Sequence, residues 1–305
     1  MRRVLNITNI LFVAIIGLEL LLPAKRSSEI IYTQELIGII IGIELLYSLN
    51  MIYKKDEKKR QSLGDITALV YGCILIWELL TTKLDILHNL LFPMPGEVVA
   101  VFLSEIPTLL DGLSSSLYLL TIGYTLALVT AIPLALIIGW RKRLFLAVNP
   151  LTKVLGPIPP IVYIPYAIAI LPTFKSASIF IIFIGAFWPI FINTLNGTFN
   201  IDKRIIDSAK VLNVKEHTML FKIILPGVLP SIISGTTVGL VLSFILLTSA
   251  EMIGASSGLG WYVKYFSDFA DYPRVVVGII FIGMVVTGIT YCFDKIESQL
   301  LKWKN

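Results

Sequence analysis

Asp207-Ser208-Ala209, then Asn213, then Ile223-Ile224-Leu225-Pro226 after nine more residues, form the most informative pattern in this chain. The chemistry open to these residue types is recognition, not bond-making. They lie in a charged, helix-forming block, residues 201–230, between two long apolar segments. Residues 203–212 suit a short helix that exposes Asp207, sets small Ser208 and Ala209 beside it, and ends on apolar Val211 and Leu212. Small residues permit close docking, and an exposed apolar pair fits a groove on another protein. Asn tolerates a left-handed backbone better than most non-glycine residues, so the helix can end and turn at Asn213, with Val214 following. Pro226 then suits the start of the next apolar segment, where its missing N–H costs nothing. The plain alternative is an ordinary loop with one helical turn.

Nothing else in the chain offers a catalytic constellation. There is no Gly-Lys dipeptide, which excludes a phosphate-cradling loop of the usual type, so if the chain's work is driven by ATP, the ATPase is another polypeptide. His88 and His217 are far apart and have no Cys or His at metal-ligand spacing. Cys73 and Cys292 sit inside apolar runs and read as buried small hydrophobes, with no disulfide framework.

The elements that must carry the loop are membrane helices. Of 305 residues, 56% are hydrophobic and 15% charged, against roughly 25% charged in a soluble domain. Apolar runs of about 20 residues, the length that crosses a hydrocarbon core, recur along the chain. They predict an all-α, polytopic integral membrane protein with about eight spans: 4–22, 30–53, 65–88, 114–140, 154–172, 176–198, 225–250 and 274–293. The first reads as an uncleaved helix, although Met1-Arg2-Arg3 ahead of an apolar stretch has a faint likeness to a signal peptide. With the N-terminus in the cytoplasm, 19 of the 25 Lys and Arg residues fall inside and 6 outside. That asymmetry predicts cytoplasmic termini and a cytoplasmic loop over 199–224. The net charge of +5 is accounted for in this way and is no sign of nucleic-acid binding. The basic run 54–60 divides an accessory helix pair, residues 1–60, from a core, residues 61–305. Residues 97–110 suit either an amphipathic helix on the outer surface or an early start of the next span.

Other residues carry weaker signals. Pro157, Pro159, Pro160 and Pro165 break one span, and broken helices persist in membranes where protein or a watery cavity satisfies the freed carbonyls. Pro159, Pro160 and Tyr163 are therefore candidates for a translocation pathway, with Trp188 beside them; the alternative is a kinked packing helix. Glu251 precedes a Gly/Ser-rich turn and either holds that turn through backbone N–H groups or borders an external gate. Glu35 and Glu44 are intramembrane carboxylates of the second span. Gly38/Gly42 and Gly235/Gly239 have the spacing of close helix packing. Lys175, Lys264 and Arg274 read as solvated charges on the outer rim.

The loop resembles the "EAA" signature of binding-protein-dependent ABC transporter permeases: Glu-Ala-Ala, three residues, Gly, nine residues, Ile-x-Leu-Pro. Here Asp-Ser stands for Glu-Ala and Asn213 for Gly. The likeness runs from about residue 74 to 303 through Trp77-Glu78-Leu79, Phe92-Pro93-Met94-Pro95, Gly156-Pro157-Ile158-Pro159-Pro160 and Ala250-Glu251 to Gly260. Together these strings are similar to the nitrate/sulfonate/taurine/bicarbonate type, a type I importer with its transmembrane domain over about 110–297. The resemblance implies a permease homodimer in membrane lipid, two ABC ATPase subunits that hold the ATP and Mg, and an external substrate-binding protein. It implies coupling through Asp207, Ser208, Ala209, Leu212, Asn213, Val214 and Pro226. The solute it implies is a small anion, with a vitamin or heterocyclic precursor as the other class. A gradient-driven secondary transporter is the rival mechanism, and it would want paired intramembrane charges and an internal repeat. A membrane enzyme would want clustered polar residues at one depth.

Overall fold

The computed structural model describes residues 7–26, 32–53 and 56–301, and every regular element among them is helical. Arg2, Arg3, Lys54, Lys55, Lys302 and Lys304, which contribute to the predicted charge asymmetry, lie outside the described residues. The chain divides into two compact units: Met1–Thr108 with Tyr265–Ile280, and Leu109–Lys264 with Phe281–Asn305.

In the first unit, α1 (Ile7–Leu21), α2 (Thr33–Tyr53) and α3 (Glu57–Glu78) pack around Ile15, Leu36, Ile40 and Tyr71, and α4 (Pro95–Ser104) lies against α2. Asp56 caps α3 by accepting the Lys58 N–H at 3.0 Å. A π-helical turn, Leu79–Lys83, extends α3. Tyr71 donates its hydroxyl to Glu44 at 3.0 Å, so Glu44 does face another helix. Gly38 and Gly42 face open space and carry no helix contact. Arg274 is no free rim charge: it pairs with Glu105 at 2.7 Å and Asp271 at 2.5 Å.

The second unit is built on α8 (Phe174–Phe199), which has α5 (Ile106–Trp140) and α11 (Leu225–Gly254) against it. Their shared core is Ala127, Ala131, Ile182, Ala186, Ile190 and Leu195 with Leu240 and Leu247. The approach of α11 to α8 is at backbone range. A side chain at Gly235 would reach the Pro189 carbonyl oxygen at 2.9 Å, and one at Gly239 the Ala186 carbonyl oxygen at 3.2 Å. Of the two predicted glycine pairs, only this one packs, because small residues help only where a second helix arrives.

Among the described residues, six helices are long and apolar enough to cross a membrane, and a seventh span results if one bent pair is counted. Of the predicted first span, 4–22, the described part forms the 15-residue α1, and residues 4–6 lie outside the described residues. The predicted span 154–172 is broken. Helix α6 (Lys142–Leu155) and the segment Pro160–Ile170 meet at 79°, and the prolines occupy the corner, where three lost N–H donors forbid a continuous ladder. Beyond it lies α7 (Ile164–Ile170), which carries Pro165 in its first turn. Residues 97–110 split at Glu105 into α4 and the start of α5. Cys73 and Cys292 are exposed on the outer faces of their helices rather than buried.

Candidate functional site

The loop between α8 and α11 is ordered by short-range chemistry. Asp202 accepts the Arg204 N–H at 2.9 Å and pairs with its guanidinium at 2.8 Å, so Asp202 caps helix α9 (Lys203–Val211). These contacts hold its carboxyl below the usual range, as the hydrogen bonds favour the ionised form. The cap is therefore present above the ordinary carboxylate pKa and is lost only as pH falls through the lowered value. Ser208 donates to the Arg204 carbonyl at 2.8 Å.

The other end of α9 closes with two reverse bonds. Asn213 N–H reaches the Lys210 carbonyl at 2.9 Å, and Val214 N–H reaches the Ala209 carbonyl at 3.2 Å. Asn213 sits at φ 52°. This is the Schellman closure, with Asn213 at the left-handed position and Val214 packed back on the helix. It explains both halves of the sequence spacing: a left-handed residue must stand four positions after Ala209. Asn213→Gly is expected to leave amide exchange across residues 203–214 unchanged. Asn213→Val is expected to accelerate it about tenfold, because a β-branched residue at positive φ costs about 1–2 kcal/mol. Equal exchange in all three proteins would remove the capping role.

The faces of α9 divide sharply. Ala209 is buried with Met219, Ile224, Val228 and Leu136 in one apolar cluster. Val211 and Leu212 are 86% and 77% exposed, and Asp207 is exposed with Lys210 at 3.8 Å. The smallness of Ala209 thus serves packing against its own chain, not the outward surface. Pro226 lies in the first turn of α11, but that helix does not begin at a loop. Residues 216–254 run on as one helical element, α10 (Glu216–Thr218) passing into a π-helical turn, Met219–Ile224. The wide turn lies directly ahead of the proline, where a regular ladder would meet its ring.

At the far end of α11, Glu251 is 1% exposed. One carboxylate oxygen accepts the Ser116 hydroxyl at 2.6 Å and the other the Gly260 N–H at 2.7 Å, while Ser116 accepts the Leu259 N–H at 2.9 Å. Glu251 thereby ties α5 and α11 to the start of α12 (Leu259–Asp268). A side chain at Gly258, where φ is 122°, would strike the Glu251 carboxylate. Ser116 drew no attention in the sequence; the triplet Ser114-Ser115-Ser116 inside an apolar helix was its only signal. Pro159, Pro160 and Tyr163 are neighbours at the bend. Trp188 lies in an aromatic cluster, edge-on to Phe187 with ring centres 5.4 Å apart and to Phe191 at 6.3 Å.

A bundle of helices long and apolar enough to cross a membrane, with a capped amphipathic helix held on one loop, defines a multi-pass membrane protein. The comparisons agree. Residues 131–300 match the family described as binding-protein-dependent transport system inner membrane component. SsuC of Bacillus subtilis (strain 168), a permease protein named for aliphatic sulfonates transport, is 31% identical over 257 residues, covering 83% of this chain and 92% of SsuC. The nitrate import permease protein NrtB of Leptolyngbya laminosa is 32% identical over 173 residues, covering 57% and 62% of the two chains. Among solved structures, the inward-facing MetNI methionine ABC transporter shares the fold, with a TM-score of 0.56 at 18% identity over 65% of this chain and 98% of that one.

The chain belongs to the binding-protein-dependent transport system inner membrane component family. It is a multi-pass membrane permease of the ABC importer class, similar to the permeases named for sulfonates and for nitrate. The matched residues include both the α9 loop and the turn at Glu251, and exclude residues 1–60.

Proposed function

We propose that this permease carries a small anion, of the nitrate or sulfonate kind, and couples its passage to a separate ATPase through the α9 loop. Two copies of the chain, with residues 61–305 as the core, form the pathway. Two ATPase subunits bind ATP and Mg on the cytoplasmic side, and an external binding protein delivers the solute. The observation that carries this reading is the division of α9. Ala209 anchors the helix to its own core, so that Val211 and Leu212, exposed to water, are presented rigidly to a groove on a partner. An exposed apolar pair at a helix end has a cost in water that docking recovers. Closure of the ATPase dimer would move α9 and, through the Ala209 cluster, the base of α11.

The anion class rests on the sulfonate and nitrate relatives. The permease core supports it only in having Lys175 exposed near the expected outer end. The test of coupling is Leu212→Asp, which leaves the core untouched because the side chain is exposed. In vesicles holding the permease, its ATPase and the binding protein, uptake is expected to fall about tenfold, and the ATPase is expected to dissociate more readily in detergent. Wild-type uptake by this variant would exclude the docking role of Leu212.

A further inference from the structure

The helices outside the family match enclose two connected spaces. The first is a polar cavity of about 630 Å³ at the end of the helices, lined by Glu19, Arg26, Tyr32, Glu78, Thr82 and Lys83 among others. The second is a groove of about 390 Å³ between α1 and α2, lined by Phe12, Val13, Ile16, Gly17, Ile37 and Ile41 without a polar side chain. Leu20 lines both. The cavity lies where α1 and α3 end and α2 begins. The groove runs from there toward the middle of the same helices. Leu20, Leu21 and Leu22, at the cavity mouth, are 69%, 83% and 51% exposed, so the cavity opens beside an apolar surface.

The lining carries both signs of charge. Lys83 donates to Glu19 at 3.3 Å and to the Leu22 carbonyl at 3.0 Å, which leaves its third N–H. Arg26 donates to the carbonyls of Phe92 and Asn89 and keeps further guanidinium N–H groups. The second Glu19 oxygen receives no N–H or hydroxyl donor, on a side chain that is 2% exposed, and the Glu78 carboxyl lies within hydrogen-bond reach of Glu19. Two carboxyl groups side by side and away from water call for a proton or a cationic donor between them. A single occupant meets all of this: an amphiphile with a primary ammonium for Glu19 and Glu78, a phosphate for Lys83 and Arg26, and an acyl chain for the groove. We infer that the cavity and groove formed by α1, α2 and α3 bind one zwitterionic aminophospholipid, of the phosphatidylethanolamine class. A choline headgroup fits less well, because its quaternary nitrogen has no N–H for the Glu19 oxygen.

The test is native mass spectrometry of the full chain, delipidated in detergent and titrated with phosphatidylethanolamine, phosphatidylcholine, phosphatidylglycerol or glycerophosphoethanolamine. The expected result is one retained phosphatidylethanolamine, at about tenfold higher occupancy than either other lipid at equal concentration. Glycerophosphoethanolamine, which has the headgroup without chains, is expected not to compete. Gly17→Leu fills the groove without a clash, as nothing lies within 4 Å of that position, and it is expected to abolish retention. Glu19→Gln is expected to reduce the preference over phosphatidylcholine toward unity. If Glu19→Gln does not fold, Gly17→Leu decides. Equal retention of the three lipids, no retention, preference for phosphatidylglycerol, full competition by the chain-free headgroup, or undiminished binding by Gly17→Leu would each overturn the proposal.

Discussion

Ala209→Glu is expected to abolish coupled uptake while the permease remains in the membrane. Ala209 is 5% exposed and touches the cluster of Met219, Ile224 and Val228 that joins α9 to the base of α11. A carboxylate there has no partner among those apolar side chains, and an unpaired buried charge costs several kcal/mol. The cheapest relief is to lift α9 off the cluster, since the helix has only nine residues and one apolar face to hold it. The spans do not depend on that contact, so membrane insertion survives. With the complete transporter in vesicles, ATP hydrolysis is expected to persist while solute uptake falls by more than about tenfold. Ala209→Ser, nearly the same in volume, is expected to retain uptake. An unchanged ratio of uptake to ATP hydrolysed in Ala209→Glu would show that α9 transmits nothing through this contact.

The second large effect is expected at the turn after α11. Glu251→Ala removes the acceptor of both the Ser116 hydroxyl and the Gly260 N–H, and each buried donor left unsatisfied costs about 1–3 kcal/mol. Gly258→Ala adds a Cβ at φ 122°, where it meets the Glu251 carboxylate, so strain and collision combine. Each single variant is expected to lower the unfolding temperature of the detergent-solubilised protein by several degrees. The double variant should lose less than the two losses added, because Glu251→Ala removes the group that the new methyl strikes. Coupling of about 0.5–3 kcal/mol is the range for residues in contact. Strict additivity in a double-mutant cycle would mean that the carboxylate does not fill the space beneath Gly258.

Much of the architecture was legible because apolar runs obey rules that act along the chain. The spans 176–198 and 274–293 fall within α8 and α13 (Tyr272–Leu300). The α9 loop was legible for the same reason: a left-handed Asn at its end and the apolar pair before it are local, whereas the Asp202 cap at its start was not read from the sequence. Where the reading went astray, a distant partner decided. Gly38/Gly42 and Gly235/Gly239 share one spacing, but only the second pair meets another helix. Arg274 looked solvated until Glu105, 169 residues away in sequence, arrived beside it.

The sequence by itself determined that this is a membrane permease, that a short helix occupies its charged loop, and that the helix ends at residue 213. These depend on hydropathy, spacing and backbone sterics within a few residues. Only the tertiary structure decided that Ala209 faces inward, that Glu251 closes on Ser116 across 135 residues, and that the first helices enclose a charged cavity above an apolar groove. Burial and pairing of that kind depend on which helix faces cross, and no local pattern encodes a crossing.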